Sequence, residues 1–450
     1  MPTTEAPTRT SLAPWAGLVA AVLLVLAAIV VPWVTGWEVH ARSERATATS
    51  GSLPPLHGFW DPRLGAGTAA AVLIALLGWR YAVDLADRLP WRRLLLLSYV
   101  VGLGWMLALA LVDGPVGISR VLAHGYEYLA TARTVDDVPA LLDGFVQRID
   151  GSNPEHWVTH VAGHPPGALL LFVALVRVGL GGDLAAGLAV IAVAATTAPA
   201  VLATVRTLGA EAAARRAAPF LVLGPAAVFM AVSADAVFGA VAAWGLAALA
   251  MAATRGAGGA WIGWSLVAGL LLGCCVLLSY GLVLLGPLAL AVLVAARSWR
   301  PLPVAAGAAL CVVLLFAAYG FAWWEGFAAV RERYWDGIAA DRPAAYWLWG
   351  DLAALLVSAG PVLGAGLAAL GVAWRRTDRA VVLLVAAAAA AVLVADVSRM
   401  SKAEVERIWL PFVPWLLLST ALLPESWRRR GLAVQLAVAL VVEILLFTTW

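Results

Sequence analysis

The chain has 450 residues, 63% of them apolar and 13% charged, with a formal net charge of +3 and a mean hydropathy of +0.89. Water-soluble domains carry about 25% charged residues, so a soluble globular enzyme of this length is excluded, and a balance so close to neutral gives no basic footprint for nucleic acid. The expected class is an all-α polytopic membrane protein.

A crossing helix needs about 20 apolar residues. After a polar start over 1–12, apolar runs begin near Pro14, Leu64, Leu94, Leu184, Ala217, Ala236, Trp261, Gly281, Leu302, Leu352, Ala380, Ile408 and Leu432, which predicts thirteen spans. The first is too long for the apolar core of a secretion signal and reads as an anchor. A further run, 168–180, is short and carries Arg177, which suits a half-inserted segment. The chain divides into N-terminal crossing helices over 1–112, a polar loop with juxtamembrane helices over 113–167, and a crossing core over 168–450 with loops near 323–350 and 396–407. Cys274, Cys275 and Cys311 all lie in apolar runs and form no disulfide framework.

Charge orients these spans. If 168–180 does not cross and the N-terminus is cytoplasmic, the inside loops hold arginine clusters around Arg80 to Arg93, Arg206 to Arg216, Arg375 to Arg379 and Arg428 to Arg430, against few acids. The outside loops are then net acidic, which is the positive-inside asymmetry. A crossing at 168–180 would invert every later loop. The expected topology is a multi-pass plasma-membrane protein with its N-terminus in and its C-terminus out. His40, His57, His124, His156, His160 and His164 all fall outside, so any chemistry is extracytoplasmic.

In the loop 113–167, Val138, Leu141, Leu142, Phe145, Val146 and Ile149 recur at three- and four-residue intervals, predicting an amphipathic helix on the membrane surface. Glu127 stands between Tyr126 and Tyr128. It is either a general base for an acceptor hydroxyl or a solvated acid on a surface helix. His156, His160 and His164 recur every fourth residue, a spacing that on one helix suits zinc or copper. Gly163, Pro165 and Pro166 disfavour helix at His164, and no HExxH arrangement supplies a base, so hydrogen-bonding histidines are the preferred reading and no metal is expected.

Two later segments carry charge. In 396–415, DVSRMSKAEVERIWLPFVPW, the bases Arg399, Lys402 and Arg407 are interleaved with Glu404 and Glu406, and Lys402 is the sole lysine. This cluster either binds a lipid phosphate through charge-assisted hydrogen bonds or forms a salt-bridged loop anchored by aromatics. The Trp- and Arg-rich loop with Arg333, Tyr334 and Arg342 is either an acceptor lid, whose rings stack on sugars, or an interfacial belt. No P-loop, G-x-G-x-x-G, G-x-S-x-G or D-x-D motif is present, which argues against a nucleotide-sugar donor and against ATP-driven transport.

The acid followed by tyrosine at Glu127-Tyr128, the His164-Pro165-Pro166 entry to a short apolar run, and Arg407, Trp409, Leu410, Pro411 and Pro414 at a late span together resemble the GT-C glycosyltransferase superfamily. The likeness is greatest to protein O-mannosyltransferases and the lipid A aminoarabinose transferase, and it covers about 113–414. This chain departs in having Glu where the family more often has Asp, Trp for Tyr in the late motif, and no Lys near Tyr280. The resemblance implies a polyprenyl-phosphate-sugar donor, an inverting transfer to a glycan, lipid or protein acceptor of the cell envelope, and no cofactor. It implies Glu127 as base, with Asp113 the alternative, and Arg407, Lys402 and Arg399 on the donor phosphate. His164, Tyr128, Asp235 and Arg120 would line the site, and Arg333, Tyr334 and Arg342 would meet the acceptor. Asp235 reads equally as a helix cap. A competing expectation is a non-enzymatic lipid or envelope-precursor transporter using the same basic groove.

Overall fold

The computed structural model describes residues 12–41, 52–256 and 258–448. Among them, seven helices are long and apolar enough to cross a bilayer: Ala13–Thr35, Ala66–Arg88, Trp91–Asp113, Asp183–Thr207, Ala234–Thr254, Ala260–Leu278 and Arg379–Ser398. Two bent pairs raise the number to nine if each counts as one broken span: Leu302–Ala318 with Trp323–Trp335, and Ala344–Ser358 with Val362–Arg376. The protein is therefore a helical, membrane-embedded chain, with fewer full spans than the thirteen expected.

The shortfall has local causes. The run near Ala217 becomes Glu211–Leu223, a 13-residue helix with Pro219 inside it. The run near Gly281 opens as a 3-10 turn before the 11-residue helix Gly286–Ala296. The run near Ile408, with Pro411 and Pro414, breaks into Val405–Ile408, Val413–Leu417 and a 3-10 turn. Proline removes a helical hydrogen bond and clashes with the preceding turn, so hydropathy alone overcounts here. The surface helix expected over 138–149 also shortens: Val138–Asp143 stops at Gly144, and turns carry Phe145 and Ile149 into the core.

Small residues let the helices approach. A side chain at Gly17 would sit 2.1 Å from the Gly364 carbonyl oxygen, and one at Gly364 would sit 2.4 Å from that of Gly17, so Ala13–Thr35 and Val362–Ala373 touch backbone to backbone. In lipid, where apolar burial gives no drive, such close packing supplies the association.

The ion pairs form two separate sets. One end of the bundle ties Arg215 to the Ala86 and Leu89 carbonyls, Arg216 to Glu425, Arg428 to Asp87 and Arg429 to Asp84. The opposite set joins the loops expected outside: Arg63 with Asp113, His160 with Glu127, Arg342 with Glu404, and Arg407 with Asp235. The segment Pro166–Arg177 belongs to this second end at both of its termini. It starts beside His164, at its last residue Arg177 donates to the Asp136 carbonyl, and just past its end Arg133 grips the Gly181 carbonyl and Asp183. Twelve helical residues reach about 18 Å, short of the ~30 Å hydrocarbon core.

Strand Gly58–Trp60 pairs antiparallel with Leu446–Thr448 on this same face. Arg63 reinforces the seam by donating to the Glu443 and Leu446 carbonyls while pairing with Asp113.

Candidate functional site

The site is built on four pieces of chain. Glu127 precedes the short helix Tyr128–Ala132 with an extended backbone, which turns its carboxylate inward, where only 6% of the residue is exposed. His160, on the helix Thr159–Gly163, meets it: Nδ1 lies 2.8 Å from Glu127 Oε1. His164 follows in extended conformation, as a residue before proline must, and its Nδ1 lies 2.9 Å from the His160 carbonyl. Tyr128 stacks on Phe172 at 5.1 Å and meets His164 edge-on at 5.7 Å. His164 in turn packs 5.9 Å from Phe238, on the helix that carries Asp235.

The fourth piece brings Arg407, whose Nη1 is 2.5 Å from Asp235 Oδ2 and whose Nη2 is 3.4 Å from Glu404 Oε2. Glu404 is also 3.6 Å from Arg342 and 3.9 Å from His57. Burial raises the Glu404 carboxyl, but Arg407, Arg342 and the two nearby histidines outweigh it and bring it down to about 2. Burial also raises Glu127, yet the His160 contact and the Arg407 charge pull it below the usual carboxylate range. Glu127 and Arg407 thus share one electrostatic centre. Burial holds the His164 imidazole below its ordinary pKa, so it is neutral near pH 7, and raises the Tyr128 phenol well above its own.

Two further features belong to this centre. Glu127 Oε2 and the Tyr128 hydroxyl are buried without a hydrogen-bond partner among the described residues, although buried polar atoms are nearly always satisfied. In addition, Val232, Ala403 and Glu404 adopt positive φ of 65°, 67° and 63°. Such conformations cost about 1–3 kcal/mol each and gather at functional sites. Here they flank both members of the Asp235–Arg407 pair.

The other sequence-predicted residues are placed elsewhere or otherwise engaged. Lys402 donates its ammonium to the Arg342 carbonyl at 2.7 Å and lies 4.7 Å from the centre of the Trp335 ring. Its amide donates to the Tyr334 hydroxyl, and Arg342 donates back to its carbonyl. Arg399 is exposed at the left-handed end of the helix Arg379–Ser398. Arg333 staples the Ile149 and Trp157 carbonyls. Asp113 and Arg120 pair with each other at 2.5 Å in the Arg63 seam, where Arg120 also covers Phe447. Asp113 and Glu127 therefore belong to different charge clusters.

The three histidines at four-residue spacing diverge: His156 Nδ1 contacts the Trp157 carbonyl, His160 meets Glu127, and His164 turns toward Phe238. Among the described residues no group of three or more His, Cys, Asp or Glu could hold a metal ion. The sequence alone does not mark His160 as the partner of Glu127 or Glu404 as an anion on Arg407. The only signal for His160 was its helical spacing from His164, and Glu404 was visible three residues before Arg407, the spacing of a helical ion pair.

The fold and the site thus define a helical membrane protein with a buried, ion-paired centre at one face. Compared with family models, curated proteins and solved structures, the chain matches none.

Proposed function

We propose that the protein is a polyprenyl-phosphate-sugar-dependent glycosyltransferase working at the outer face of the plasma membrane, with its N-terminus in the cytoplasm. The observation that carries this reading is Glu127: one carboxylate oxygen is anchored on His160 and the other is buried without a partner among the described residues, within the field of Arg407. A positioned carboxylate that keeps one oxygen out of hydrogen bonds is suited to general-base catalysis.

In the proposed reaction Glu127 Oε2 takes the proton of an acceptor hydroxyl as that oxygen bonds to the anomeric carbon. The bond from this carbon to the phosphate oxygen breaks, its electron pair leaves on the polyprenyl phosphate, and the configuration inverts. Arg407 stabilises the departing charge. Its guanidinium is held at rest by two carboxylates, of which Asp235 is the closer and Glu404 the looser and 24% exposed. The donor phosphate would take the place of Glu404, while Asp235 keeps Arg407 aimed.

The test is transfer of radiolabelled sugar from polyprenyl-phospho-mannose and polyprenyl-phospho-arabinose in proteoliposomes containing an envelope acceptor fraction. A sugar-acceptor product with release of polyprenyl phosphate is expected. In the same assay Glu404→Gln, which removes the competing anion, is expected to lower the donor KM several-fold with kcat little changed; an unchanged KM would show that Glu404 does not occupy the phosphate position. The second reading, a proton-coupled carrier for a lipid-linked precursor, is favoured by Asp351 and Asp396, both buried within apolar helices, since intramembrane acids often serve such coupling. It predicts intact lipid crossing the bilayer with no transfer product.

A further inference from the structure

Away from the buried centre, at the arginine-rich end of the bundle, lies an apolar groove of about 560 Å3 between Ala66–Arg88, Trp91–Ala110 and Glu211–Leu223. It opens toward the lipid-facing surface, where Leu77, Leu85 and Val100 are exposed. Gly78 and Gly104 line it, and the missing side chain at Gly104 leaves open space, with only Ile74 Cδ1 at 3.8 Å from where a Cβ would lie.

All three walls run into an arginine at the same end. On the first helix Tyr81, Leu85 and Arg88 follow at i, i+4 and i+7, so Arg88 continues the stripe formed by two lining residues. On the second, Arg93, Leu97 and Val101 are successive i+4 neighbours, and Leu97 and Val101 line the groove. On the third, Arg215 stands one turn before the lining residues Ala218 and Pro219. Arg215 donates to the Ala86 and Leu89 carbonyls at 2.9 Å each, which sets it at the turn joining the first two helices.

The nearby acids are already paired, none of them with Arg88 or Arg93. Asp87 and Asp84 are held by Arg428 and Arg429, and Glu211 by Arg206 and Arg215. Arg88 and Arg93 are exposed and have no ion-pair partner among the described residues. An apolar slot open to the bilayer and crowned by three arginines, of which Arg88 and Arg93 have no acid of their own among the described residues, is complementary to one occupant: a lipid whose chains fill the slot and whose phosphate meets the arginines.

We propose that this groove is a binding site for an anionic phospholipid. Chain burial accounts for residence, and the two arginines account for selection of a net negative headgroup over a zwitterionic one. The site stands independently of the proposed transferase activity, because none of its residues belongs to the Glu127–Arg407 centre.

Native mass spectrometry of the full chain, released from detergent after equilibration with equal amounts of phosphatidylglycerol and phosphatidylcholine, tests it. The expected result is retained phosphatidylglycerol at roughly tenfold or more over phosphatidylcholine, since each basic residue near a headgroup contributes about a factor of five. Arg88→Ala with Arg93→Ala is expected to erase the preference while some lipid still binds. Gly104→Leu, which fills the slot and leaves the arginines intact, is expected to reduce bound lipid of both kinds. Equal occupancy in the unmodified protein, an unchanged preference in the double variant, or undiminished lipid in a monodisperse Gly104→Leu would each overturn the proposal. If the double variant fails to fold, the Gly104→Leu result decides.

Discussion

Arg407→Met is expected to destabilise the protein by about 3–5 kcal/mol, the usual cost of removing one partner from a buried pair. Arg407 and Asp235 have side chains only 5% and 4% exposed and lie 2.5 Å apart. Deleting the guanidinium strands the buried Asp235 carboxylate without this counter-charge at the start of a crossing helix and takes from Glu404 one of its cations, with Arg342 and His57 still beside it. The companion variant, Arg407→Met with Asp235→Leu, replaces both charges by apolar groups and is expected to recover most of the loss, because well-packed substitutes often match a buried ion pair in stability. Thermal unfolding in detergent, followed by loss of monodispersity, reads both. The double variant is expected to remain unable to use a polyprenyl-phosphate donor. If it regains transfer along with stability, Arg407 is structural only.

Glu127→Gln is expected to reduce sugar transfer by about 10²–10⁴-fold, the range for losing a general base, with little effect on folding. The amide keeps the size of the side chain and an oxygen for His160, but it accepts no proton. The pH profile adds a sharper signature. In the free protein the Glu127 carboxyl lies below the usual range, so it is ionised through neutral pH and fails as a base only when the pH falls through that depressed value. The acid limb of kcat/KM therefore sits below the ordinary carboxylate region. A donor phosphate beside Arg407 opposes one of the charges that holds Glu127 down, so its pKa rises in the complex and the acid limb of kcat moves to higher pH. The shift also improves the base, since a carboxylate with too low a pKa has little driving force for proton transfer. Coincident limbs for kcat and kcat/KM would remove this role from Glu127.

The legible part of the fold was its chemistry of partition. Long apolar runs such as Ala13–Thr35, Ala234–Thr254 and Arg379–Ser398 are readable because lipid demands uninterrupted helix. Runs holding Pro219, Pro411 or Pro414 mislead, because a protein interior satisfies broken backbone that hydropathy cannot see. The grouping of charges into two sets was also legible, and the ion pairs keep them apart. At the site, Glu127, His164, Asp235 and Arg407 were visible as isolated letters and the fold brings them into one neighbourhood. Lys402 and Arg399 shared their segment with Arg407 but point to different duties, since one residue's hydrogen bonds cannot be inferred from its neighbour's. The strand pair Gly58–Trp60 with Leu446–Thr448 had no signal at all: three residues are too few for a periodicity.

The Asp235–Arg407 pair spans 172 positions of chain. At a synthesis rate of about 5–20 residues per second, Asp235 waits on the order of ten seconds or more before its counter-charge leaves the ribosome. Glu127 waits longer still for the same arginine. This centre is therefore completed late, only when the segment that carries Arg407 docks against helices made long before it.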